Sequence, residues 1–160
     1  MTYYENARAK AEFGRSVDPS AWILGEDSGL EVDGLGGAPG VASARFARGE
    51  HVERLLRELE GVEGEGRRAR YVCELVAISP AADEIRGTGV LEGRIVHEPR
   101  GSEGFGFDPI FVPEREQQTV AELGNEWKTR NSHRAGAAQA LTRALRQHRG
   151  LGTGRGRATS

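Results

Sequence analysis

Cysteine is nearly absent. Cys73 stands alone, so no disulfide can form within the chain, and its place in the apolar run Tyr71 to Ile78 marks it as a buried structural thiol. Long apolar runs are missing too: no stretch approaches the ~18 residues of a membrane span. The N-terminus has no charged segment leading into an apolar core, and the expected location is the cytoplasm. Nor is there an excess of charge. With 22 Lys+Arg against 24 Asp+Glu the formal net charge is -2, which argues against nucleic acid as the main partner and leaves room for a small anion in a local cationic pocket. Lysine is scarce within that basic set, at Lys10 and Lys128 alone. Either each marks a place where a compact ammonium matters, or both simply follow from an arginine-rich composition. His51, His97 and His148 show no ligand spacing, which with one cysteine argues against zinc.

What is present reads as one domain over residues 1–149, followed by a Gly-, Arg-, Ser- and Thr-rich tail at 150–160 expected to be disordered. Thr2-x-x-Glu5 has capping-box spacing and opens a helix to about Phe13. Ala21 to Leu24 reads as a buried strand entering a turn at Glu26-Asp27-Ser28-Gly29, with extended chain resuming at Leu30 to Val32. Gly34 to Gly40 is a tight loop lacking the spacing of a P-loop or a dinucleotide fingerprint. Val52, Leu55, Leu56, Leu59 and Val62 recur at helical intervals over about Glu50 to Glu60. Arg68 to Ser79 and Ile85 to Val96 form an antiparallel hairpin, and Pro109 to Val112 adds a short strand. From Gly124 the chain turns helical, with a break near Ser132.

Glu26 and Asp27 are adjacent, so on extended chain they point to opposite faces. Asp27 is the better candidate for a hard cation such as Mg²⁺, with Glu5 as the second carboxylate. Asp-Ser-Gly is also a common turn, and Glu5 could be only a cap. In Gly104-Phe105-Gly106-Phe107-Asp108-Pro109, two glycines let backbone approach a flat ligand, with Phe107 as the ring that stacks on it. Lys128, His133 and Arg134 would scatter around a continuous helix, and the break near Ser132 is what can bring them together.

Taken together, these segments resemble the inosine triphosphate pyrophosphatase family, the dITP/XTP pyrophosphatases. The resemblance runs from Thr2 to about Leu145 through Glu5-Asn6-Ala7 with Lys10, Glu26 to Leu30, Leu35 to Gly40, Ser43 to Phe46, Gly104 to Phe111, Ala121-Glu122-Leu123 and Lys128 to Arg134. It implies an elongated α/β fold, with a mixed twisted sheet, flanking helices and a central nucleotide cleft, working as a homodimer. It implies Mg²⁺-dependent hydrolysis of ITP, dITP and XTP to the monophosphate and pyrophosphate. Asp27 then corresponds to the general base and metal-linked carboxylate, with Glu5 and Glu26 in support and Ser28 touching the nucleotide. Lys10 would neutralise phosphate, while Phe105, Gly106, Phe107, Asp108, Lys128, His133 and Arg134 correspond to the base pocket.

The chain departs from the family pattern at its start. Family members begin with a further strand and a Ser/Thr-x-Asn-x-x-Lys loop that grips phosphates, whereas this sequence opens at Met1-Thr2. A sheet without its first strand would have an unpaired edge, low stability and weak activity, which keeps open a catalytically impaired nucleotide-binding or dimer-partner homologue. Phe107 stands where tyrosine or tryptophan is usual. Asn131 replaces an apolar residue before Ser132, which questions the packing of the His133 turn if its amide is buried.

Overall fold

The computed structural model describes residues 1–46 and 49–152. Helix α1 (Tyr3–Val17) opens with the anticipated capping box. The Glu5 amide donates to Thr2 Oγ1 at 3.2 Å, and the Thr2 amide donates to Glu5 Oε2 at 2.7 Å. Tyr3, Ala7 and Ala11, four residues apart, make its buried stripe. Strand β1 (Ile23–Val32) does not turn at Glu26–Gly29 but runs straight through it. It pairs residue for residue with β2 (Arg68–Ile78), which holds the would-be turn extended.

β2 pairs with β3 (Glu84–Ile95), and β3 with β4 (Phe111–Pro113), giving a sheet of order β1-β2-β3-β4. All pairings among the described residues are antiparallel. The α/β class with flanking helices holds, while the mixed sheet implied by the resemblance is antiparallel over these strands. Helices cover both faces of β2, which explains its nearly unbroken buried run rather than an alternating one. On one face Ala7 and Ala11 of α1 pack on Val76 and Ile78. On the other, Ala137 and Leu141 of α5 (His133–Gly152) pack on Cys73, Leu75, Ala77 and Ile85. Two glycines on β3 permit that closeness: a Cβ at Gly89 would lie 1.9 Å from the His133 carbonyl oxygen, and one at Gly87 2.4 Å from that of Ala137.

A third apolar cluster lies towards the other end of the sheet. There α2 (Ser43–Phe46) and α3 (His51–Glu58) bring Phe46, Val52 and Leu55 against Leu30, Val32, Tyr71, Phe107 and Phe111. Helix α4 (Val120–Asn131) starts earlier than its expected origin at Gly124, because Thr119-x-x-Glu122 forms a second capping box. Gly124, at φ 84°, is instead an interruption inside it. The break at Ser132 is present with extended geometry (φ -68°, ψ 162°), and Ser132 Oγ accepts the Ala135 amide of α5. Helix α5 continues through Gly152, so residues 150–152 of the expected disordered tail are helical, and 153–160 lie outside the described residues.

Candidate active site

Between α1, the middle of β1, the 104–108 loop and the α4–α5 junction lies a cleft of about 290 Å³. It is lined by every residue anticipated from the sequence except Glu5. Glu5 is held in the capping box at the exposed start of α1, where the hydrogen bond from the Thr2 amide lowers its carboxyl pKa. The expected second metal carboxylate therefore caps α1 and does not line this cleft.

Pleating sends Asp27 and Glu26 to opposite faces of β1, and each carboxylate meets its own cation. Asp27 faces α1: Lys10 Nζ donates to Oδ1 at 2.7 Å, and Asn6 Nδ2 donates to Oδ2 at 3.0 Å. Lys10 also donates to the Glu26 carbonyl oxygen at 2.8 Å. Lys10, Asn6 and Asp27 meet because one helical turn separates residues 6 and 10 on the same face of α1. Glu26 turns toward α5, where Arg134 Nε donates to Oε1 at 3.1 Å, while Arg134 Nη2 donates to Ser28 Oγ at 2.8 Å. Ser28 and Glu26 are two apart on one strand face, so a single guanidinium spans both.

The other wall is built around Asp108, which is buried. Its carboxylate accepts from the Phe105 amide at 2.8 Å, from the Tyr71 hydroxyl at 3.3 Å and from Lys128 Nζ. A Cβ at Gly104 would sit 2.3 Å from Asp108 Oδ2, and Gly104 has φ 80°, so glycine is required there twice over. The ring that opens to the cleft is Phe105, not Phe107. Phe105 is 63 % exposed, with Lys128 Nζ 3.6 Å from its ring centroid and the Arg134 guanidinium carbon at 5.4 Å. Phe107 is 4 % exposed and touches the cleft from the core, packed against Phe46 and His51. The alternation of the loop residues decides this, because Asp108 folds back on the Phe105 amide and pulls its neighbour inward.

His133 begins α5 and is buried, lying flat on the Tyr71 ring. Burial, reinforced by Arg134 and Lys128, pushes its pKa down to about 3, so the imidazole is neutral at physiological pH. Its Nδ1 is buried with no hydrogen-bond partner. Asn131 is exposed and donates to the Trp127 carbonyl oxygen at 2.9 Å, so it does not disturb the turn. Sequence reasoning missed Asn6 and Tyr71. Asn6 was legible as the residue one helical turn before Lys10; Tyr71 comes from a strand with no local signal.

A family model described as the Ham1 family matches residues 1–144. The chain belongs to the Ham1 family. This Ham1 chain is 45% identical over 152 residues to a dITP/XTP pyrophosphatase of Bacillus licheniformis, covering 92% of the chain and 77% of that relative. It is 42% identical over 149 residues to the protein of the same name from Bdellovibrio bacteriovorus, covering 90% and 75%. Among solved structures it superimposes on the Staphylococcus aureus Ham1 protein with a TM-score of 0.84 at 34% identity, covering 92% of this chain and 78% of that one. The chain therefore spans about three-quarters of the length of these relatives.

In this Ham1 chain, no three His, Cys, Asp or Glu side chains among the described residues converge to cage a metal. Asp27 and Glu26 both line the cleft from opposite faces of β1. One carboxylate suffices for a hard divalent cation whose remaining ligands are phosphate oxygens and water. No described helix is long and apolar enough to cross a membrane.

Proposed function

We propose that this chain hydrolyses deaminated purine nucleoside triphosphates, ITP, dITP and XTP, to the nucleoside monophosphate and pyrophosphate. The observation that carries the proposal is one cleft with two chemically distinct walls. The Asp27 carboxylate with a lysine stands on the α1 side, and an open aromatic ring with a neutral imidazole and two cations stands on the other.

The triphosphate would compete for Lys10 and Arg134, both partly exposed cations now paired with Asp27 and Glu26. Drawing Lys10 to phosphate frees Asp27 Oδ1 to accept a proton from water. Asn6 continues to orient the other oxygen. Asp27 would hold a Mg²⁺ that enters with the nucleotide, with phosphate oxygens and water completing its shell. When bound, such an ion neutralises developing charge on the phosphates. Phosphoryl chemistry asks little covalent work of a protein, and Lys10 and Arg134 supply positioning and charge.

Selection rests on the purine edge. A 6-oxo group is an acceptor where adenine presents an amino donor, and Lys128 and Arg134 are donor-only groups beside the Phe105 ring. The neutral His133 can pair with either a donor or an acceptor on the ring. The impaired-homologue alternative is disfavoured, because the residues of both walls are present and assembled. We place the reaction in the cytoplasm, where nucleotide pools are found, and in a homodimer, which sedimentation can measure.

The test is pyrophosphate release with Mg²⁺ from ITP, dITP and XTP, with ATP and GTP as controls. Selective release from the deaminated purines is expected. Folded protein that releases none, or that prefers ATP, would sink the proposal.

A further inference from the structure

His51 sits at the first position of α3, outside the two walls just described, and both of its ring nitrogens are engaged. Nδ1 lies 2.8 Å from the Gly49 carbonyl oxygen, and Nε2 lies 2.8 Å from the carbonyl oxygen of Gly106 in the base-side loop. Carbonyl oxygens only accept. A neutral imidazole has one N–H and one lone pair, so it can satisfy one of these contacts and must turn its lone pair on the other; the imidazolium satisfies both. The ring cannot easily swing away, since it stands on edge against Phe107, with centroids 5.4 Å apart and planes at 86°.

Gly106 is the residue between the exposed Phe105 ring and the buried Phe107 ring, and it has φ 64°. Phe105 is tied on its other side by its amide to Asp108. Between them, the Asp108 carboxylate and the His51 ring therefore set where the Phe105 ring stands. Lys128 neutralises Asp108. The other charged groups nearby in the chain are Glu50, Glu53 and Arg54 around the start of α3, and Arg45 on α2. Arg54 is paired with Glu58.

We propose that His51 is a positioning residue for the base-side loop, and that its doubly protonated form clamps the Gly106 carbonyl and so tightens the hold on a purine nucleotide as pH falls. This rests on the reading of the cleft as a purine nucleotide site, though not on its hydrolytic activity. His133, held neutral down to about pH 3, contributes no titration over the same span.

The test uses the full chain, wild type and His51→Gln, with inosine monophosphate as probe. A glutamine amide can donate to one carbonyl but does not titrate. Affinity is measured by calorimetry from about pH 5 to 8, the span in which histidine side chains change charge. The ring nitrogens of ¹⁵N-labelled protein are followed by NMR over the same range. Wild-type affinity should gain about threefold or more over His51→Gln toward low pH, the scale of one charge-assisted hydrogen bond only partly transmitted. Both ring nitrogens of His51 should be protonated as that gain develops, and the Phe107 amide resonance, which follows the Gly106 carbonyl, should shift with it. Parallel affinity profiles for the two proteins, or a ring that stays in one neutral tautomer throughout, overturns the proposal. Nucleotide binding without pyrophosphate release would instead refute the hydrolysis and leave the His51 measurement readable.

Discussion

The His133 imidazole lies parallel to the Tyr71 ring, 4.7 Å between centroids and 9° between planes. Tyr71 in turn donates its hydroxyl to Asp108, so one strand side chain braces both the helix start and the buried carboxylate of the 104–108 loop. Cleft shape and charge are thus set from the sheet.

Because burial holds His133 near pH 3 when folded, against an ordinary value of 6.5, the unfolded chain binds the extra proton across that window. Stability is therefore complete above the upper value and falls as pH drops through the window, by about 2 kcal/mol between pH 7 and 5 from this group. Urea unfolding at the two pH values measures it. His133→Gln should remove that part of the slope whatever its own stability; an unchanged slope would contradict the neutral buried imidazole.

Tyr71→Phe keeps the stack and removes one donor from Asp108. A loss of about 1 kcal/mol in urea unfolding is expected, together with a rise in KM for ITP and little change in kcat, since Tyr71 acts through Asp108 rather than on phosphate. A fall in kcat alone would be inconsistent with this role.

The two phenylalanines of the loop should separate cleanly. Phe105→Ala should leave Tm nearly unchanged and weaken ITP binding by about tenfold, the scale of one base stacked on an aromatic ring. Phe107→Ala should cost about 3 kcal/mol of stability through the cavity it opens. If the two effects were exchanged, the placement of the open ring would be wrong.

Asp27→Asn retains an oxygen and the shape of the side chain but cannot take a proton. Pyrophosphate release should fall by at least about a hundredfold, while nucleotide binding and the circular dichroism spectrum stay near wild type. Substantial residual turnover would move the base elsewhere, with Glu26 as the next carboxylate to replace.

What lies within a few residues could be read from the sequence. Thr2-x-x-Glu5 predicted its cap because both hydrogen bonds close within three residues, and the break at Ser132 followed from the need to gather Lys128, His133 and Arg134. The opposite facing of Glu26 and Asp27 is a property of any extended pair. Of the segments in the family resemblance, those at Glu26 to Leu30, Phe105 to Asp108 and Lys128 to Arg134 contribute to one cleft lining, while Leu35 to Gly40 and Ala121 to Leu123 do not. What depends on partners distant in sequence could not be read locally. Glu26–Gly29 has the composition of a turn, yet it is strand because ten consecutive residues of β1 pair with β2. Glu5 has the chemistry of a metal ligand, yet its place is in the cap of α1, outside the cleft lining. Phe105 and Phe107 are the same residue type two positions apart, and only the return of Asp108 onto the Phe105 amide decides which ring faces solvent. Tyr71 and His51 enter through packing across 37 and 55 residues of chain. Local hydrogen bonding and alternation act over a few residues and leave a signature in spacing. Burial and charge pairing are decided by which surfaces the folded sheet brings face to face.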